Sequence, residues 1–81
     1  MENKIKLLVV DDEVAFLNSI SKRLELRDFE VTKATCGSEA VKFVSENKFD
    51  LALIDLKMPG MGGQELLEIL KREHRYIEVV V

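Results

Sequence analysis

Three aspartates stand where two apolar runs stop abruptly. Asp11 and Asp12 follow the run Ile5, Leu7, Leu8, Val9 and Val10, and Asp55 follows Leu51, Ala52, Leu53 and Ile54. Runs this short, continuous and aliphatic read as strands buried on both faces, the kind found in parallel sheets. If the two strands are neighbours, their terminal acids converge in one crevice. Carboxylates held together repel one another unless a cation sits among them. A hard divalent ion such as Mg²⁺ suits all-oxygen ligands and commonly uses one or two carboxylates alongside phosphate oxygens and waters. An aspartate beside such an ion is a competent nucleophile toward phosphorus, giving an aspartyl-phosphate.

The elements that must position these acids follow from periodicity. Between the acid pair and the next apolar run, Val14, Leu17, Ile20 (or Ser21) and Leu24 recur at helical spacing, with Asn18, Lys22, Arg23 and Glu25 on the opposite face. This predicts a helix over 13–26, with Asp12 as N-cap and Glu13 complementing the helix dipole. Phe29, Val31 and Lys33 alternate, as an edge strand would. Gly37, Ser38 and Glu39 open a second helix with Ala40, Val41, Phe43 and Val44 as its apolar stripe, closed near Asn47. The segment 57–63 holds the only proline and three of the four glycines, so it is a turn-rich loop. A third helix follows over about 64–72, with Leu66, Leu67, Ile69 and Leu70 inward, and a fourth strand over 77–81. The order βαβαβαβ predicts an α/β fold: a parallel sheet covered by helices, with ligands bound beyond the carboxyl ends of its strands, where strand order reverses.

Bulk properties narrow the possibilities. The chain has 81 residues, enough for one domain spanning 1–81. Its net charge of −3, from 12 basic and 15 acidic residues, gives no basic footprint for nucleic acid or an anionic membrane surface. The apolar run near the N-terminus is too short for a signal segment or a membrane span, and Cys36 has no second cysteine to pair with. Both features predict a cytoplasmic location.

The segments Leu8-Val9-Val10-Asp11-Asp12-Glu13, Gly37-Ser38-Glu39-Ala40 and, most specifically, Asp50-Leu51-Ala52-Leu53-Ile54-Asp55-Leu56-Lys57-Met58-Pro59-Gly60-Met61-Gly62-Gly63-Gln64-Glu65 together resemble the receiver domain of two-component response regulators. The resemblance runs the length of the chain. It implies a flavodoxin-like fold with strand order 2-1-3-4 over the residues present. It implies that Asp55 accepts phosphate from a sensor histidine kinase or a histidine phosphotransfer protein. It further implies that Asp12 and Asp55 bind Mg²⁺, with Asp11 assisting through water and the backbone carbonyl of Lys57 as a third protein ligand. The implied role is a signalling module and not an enzyme, limited to self-phosphorylation from a phosphodonor and autodephosphorylation.

Receiver domains resembling this one have five strands and five helices. The 81 residues match up to the fourth strand, short of the hydroxyl residue and the lysine expected later. The expectation is therefore a truncated receiver with impaired switching, and a homodimer joined through its exposed fourth strand. Two further readings compete. One is a structural, self-associating fragment with a vestigial site. The other is a metal-dependent phosphohydrolase, which would need a second acid two residues after the nucleophile, where Lys57 stands. His74, near a helix end, reads as structural, Cys36 as a partly buried thiol without a role, and Met58 and Met61 as loop packing.

Overall fold

The structure is a computed structural model that describes residues 4–55 and 62–81. Four strands and three helices alternate: β1 (Ile5–Val10), α1 (Val14–Glu25), β2 (Phe29–Ala34), α2 (Gly37–Glu46), β3 (Leu51–Ile54), α3 (Gly63–Glu73) and β4 (Glu78–Val80). The strands form one parallel sheet in the order β2-β1-β3-β4. The chain therefore passes to one side of β1 to make β2 and to the other side to make β3. β1 is the point at which strand order reverses.

The continuous apolar run of β1 is explained by its two buried faces. Side chains alternate across a strand. Leu8 and Val10 join Ala34, Ala40, Val44, Phe49, Ala52, Ile54, Leu66, Leu70 and Ile77 in the larger core, beneath α2 and α3. Leu7 and Val9 face the other way and pack with Leu17 of α1, flanked by the half-buried Ile20, Leu24, Phe29, Val31, Leu51 and Leu53. α1 therefore covers its face of the sheet only in part.

Burial departs from the periodic expectation at Ile5 and Val14. Ile5 is 48% exposed; β1 pairs with β3 only from Leu7, opposite Leu51, so Ile5 lies beyond that ladder. Val14, in the first turn of α1, is 54% exposed, and the buried residues of that helix are Leu17 and Ser21. Tyr76, just ahead of β4, is exposed and sets the edge of its ring against His74, with centroids 6.1 Å apart and planes at 71°. At the sheet's β2 margin, Lys33 Nζ donates to Asn18 Oδ1 at 2.9 Å and ties the edge strand to α1.

Helix starts are set by main-chain geometry. The N-cap of α1 is Glu13 and not Asp12, with extended backbone and no side-chain cap. α2 starts from Cys36. There Glu39 reaches back one residue further, accepting from the Thr35 N–H at 2.7 Å and from the Thr35 hydroxyl at 3.1 Å. A carboxylate at this position satisfies a donor that the helix leaves open and complements its dipole.

Candidate functional site

The register of the two central strands builds the site. Val10 lies opposite Ile54, so the next residue on each strand, Asp11 and Asp55, leaves the sheet side by side. Main-chain bonds carry the alignment past the last paired residues. The Asp55 N–H donates to the Val10 carbonyl at 3.0 Å, and the Asp11 N–H donates to the Ala34 carbonyl at 3.1 Å. Asp12 follows directly. One carboxylate oxygen from each of Asp11, Asp12 and Asp55 can be chosen so that all three lie within 4.8 Å of one another. Asp11 and Asp55 are half-buried and Asp12 is exposed.

The orientation of Asp11 is fixed from the main chain. Its Oδ1 accepts the Glu13 N–H at 2.9 Å, an Asx turn immediately ahead of α1. The Glu13 carbonyl in turn accepts from the Leu17 N–H at 2.9 Å, the first bond of the helix. The sequence carried the signal for this turn, an aspartate two residues before a helix start, but propensity alone points to Asp12 as the cap.

The acids head an open cavity of about 780 Å³ that runs along the α1 face of the sheet. Phe16 and Ile20 form one wall, and Leu53, Val80 and Val81 the other. Neither Phe16 nor Val80 stood out in the sequence as a site residue. Lys57, whose carbonyl the resemblance makes a metal ligand, lies outside the described residues, as do Met58 and Met61. Cys36 is half-buried at the start of α2 and is not among the residues that line the acid-headed cavity. Its thiol is held below the ordinary cysteine value, chiefly by its hydrogen bond with the Ser38 hydroxyl at 3.4 Å.

The acid set fits a small hard cation. Oxygens bound to one Mg²⁺ at about 2.1 Å are no more than about 4.2 Å apart. A spread within 4.8 Å is one side-chain adjustment, or one bridging water, from that geometry. The donors are all carboxylate oxygens, as such an ion prefers.

Fold and site together define a class: a doubly wound parallel α/β module with an acid-lined crevice at the strand-order reversal. The family model for the response regulator receiver domain matches residues 7–81. The chain belongs to that family. The response regulator GacA of Pseudomonas aeruginosa is 40% identical over 79 residues, which cover 95% of this chain and 37% of that protein. Among solved structures, a CheY-like receiver domain protein of Methanospirillum hungatei superposes with a TM-score of 0.92 at 34% identity, covering 95% of this chain and 62% of the other. The response regulator TrrA of Thermotoga maritima, in complex with Mg²⁺-BeF, superposes with a TM-score of 0.91 at 27% identity over 95% of this chain and 67% of the other. The chain thus spans little more than a third of the length of the GacA relative. Receiver domains are signalling modules of two-component systems, and the fold expected from the resemblance is the one observed. Among the described residues, no helix is long and apolar enough to cross a membrane.

Proposed function

We propose that the chain is a phospho-acceptor module in which Asp55 takes a phosphoryl group from a histidine kinase or a histidine phosphotransfer protein. The observation that carries this reading is the meeting of Asp11, Asp12 and Asp55 at the ends of two register-matched strands. A carboxylate oxygen of Asp55 attacks phosphorus as the bond from phosphorus to the donor's imidazole nitrogen breaks. That nitrogen keeps the electron pair. Asp12 and Asp55 would hold Mg²⁺, with Asp11 acting through a water and the Lys57 carbonyl as a further ligand. The bound ion would supply charge neutralisation for the transferring group. The TrrA complex with Mg²⁺-BeF supports this assignment by likeness.

The module spans residues 1–81 in this reading and works in the cytoplasm, where its donors are found. Incubation with acetyl phosphate and Mg²⁺ tests the central claim. Intact-protein mass spectrometry gains one phosphate, peptide mapping puts it on Asp55, and Asp55→Asn abolishes it. An unmodified wild-type chain, or a phosphate that persists in the Asn variant, overturns the assignment.

A second reading rests on the β4 margin of the sheet. Val80 on β4 and Val81 just after it are 45% and 67% exposed, and β4 has no neighbouring strand beyond it among the described residues. Open edges of β-branched residues recruit other strands. We propose that the 81-residue chain forms a homodimer through β4. Sedimentation shows a two-chain species if so, and a monomer at high micromolar concentration excludes it.

A further inference from the structure

We infer that the main-chain N–H of Glu13 is a positioning donor for the cation pocket, holding Asp11 so that the pocket favours Mg²⁺ over Ca²⁺. This inference rests on the Mg²⁺-binding reading above. Glu13's peptide group is held on both sides: its N–H by Asp11 Oδ1 at 2.9 Å and its carbonyl by the Leu17 N–H at 2.9 Å. The start of α1 therefore fixes the donor, and the donor fixes the carboxylate. Asp11 is also anchored through its own N–H to Ala34, which leaves rotation about its side-chain bonds as the freedom that matters.

With Oδ1 engaged, Asp11 cannot turn both oxygens toward the pocket without breaking this bond. It can still present one oxygen to a water in the cation's shell. Such an arrangement suits Mg²⁺, which demands octahedral geometry and retains several waters. Ca²⁺ takes more oxygens and readily accepts both from one carboxylate. A released Asp11 could offer that second oxygen. Hydrogen bonds that orient a ligating group are known to tune metal affinity in this way. The Glu13 side chain is exposed and lines the same cavity, so the peptide N–H has to be tested with that side chain left in place.

The test is titration calorimetry of the 81-residue chain with Mg²⁺ alone and with Ca²⁺ alone, alongside circular dichroism. Glu13→Pro removes the donor at a φ of −87°, close to proline's range. Proline also restricts Asp12. A chemically synthesised chain with an ester in place of the Asp12–Glu13 amide therefore removes the N–H alone. We expect either change to weaken Mg²⁺ binding about 10-fold and Ca²⁺ binding less. A folded ester variant with wild-type Mg²⁺ affinity overturns the inference. So does an equal loss for both cations. If the wild-type chain binds no Mg²⁺, the pocket assignment falls and this inference falls with it.

Discussion

Lys6 and Asp50 are joined twice at the foot of the sheet. The Asp50 N–H donates to the Lys6 carbonyl at 2.8 Å, and Asp50 Oδ2 accepts the Lys6 N–H at 2.9 Å. The Asp50 carbonyl also accepts from the Glu78 N–H at 3.1 Å, so a single residue clasps β1, β3 and β4 at the end opposite the acids. Asp50→Ala deletes the side-chain acceptor and is expected to lower stability by about 1 kcal/mol. Asp50→Asn keeps an oxygen in place and recovers most of that loss. Urea denaturation monitored by circular dichroism measures both, and equal midpoints for Ala and wild type would remove the clasp from the account.

The turn from α1 to β2 contains the one non-glycine residue with positive φ among the described residues, Asp28 at 69°. Aspartate tolerates this left-handed conformation better than most side chains, because its short polar group bonds locally. Glycine tolerates it freely but loses more backbone freedom on folding. Asp28→Gly is therefore expected to fall within about 0.5 kcal/mol of wild type. Asp28→Val, with a branched β-carbon in the same well, is expected to cost roughly 1–2 kcal/mol. Thermal melts of the two variants decide this, and a valine variant as stable as wild type would mean that the turn relaxes.

How much of the molecule was legible in the sequence depends on what each signal measures. Leu7 to Val10 are apolar without alternation, which is possible only for a strand covered on both faces, and that placed β1 at the centre. The same logic set β3 beside it and brought Asp11, Asp12 and Asp55 together, as the structure shows. Propensity failed where geometry decides. Asp12 is as good a cap as any residue by type, yet the Asx turn of Asp11 onto Glu13 shifts the helix start by one. The Val14 exposure was invisible for a related reason. Periodicity gives the direction a side chain points but not whether an element lies beneath it, and Val14 is left 54% exposed. The Lys57 carbonyl lies outside the described residues, so its place at the pocket rests on resemblance alone.

Among the described residues Ser21 is the one buried polar side chain, 3% exposed, and its Oγ has no hydrogen-bond partner there. It sits one turn beyond Leu17 on the inner face of α1, where periodicity would accept an apolar residue. A buried hydroxyl left unpaired is destabilising, and serine is also a poorer helix former than alanine. Ser21→Ala is expected to raise stability by about 1 kcal/mol, read as a higher melting temperature with unchanged Mg²⁺ binding. A drop in stability would show that the hydroxyl does find a partner in solution.

The junction of β2 and α2 makes a prediction about pH. The Thr35 N–H, and after it the Thr35 hydroxyl, hold Glu39 below the ordinary glutamate value, with a smaller contribution from Lys42. Its pKa is lower in the folded chain than in the unfolded one, so the unfolded chain binds the proton more tightly. The contribution of Glu39 to stability is therefore fully present above the unfolded value and is lost as pH falls through the folded one. Glu39→Gln keeps an oxygen that can accept from Thr35 but removes the titration. The difference in melting temperature between wild type and Glu39→Gln should be largest near neutrality and shrink as the solution is acidified below the ordinary carboxylate range. The group is solvent-exposed, so added salt should reduce the part owed to Lys42 and leave the Thr35 bonds largely in place. A difference independent of pH would show that Thr35 senses the shape of residue 39 and not its charge.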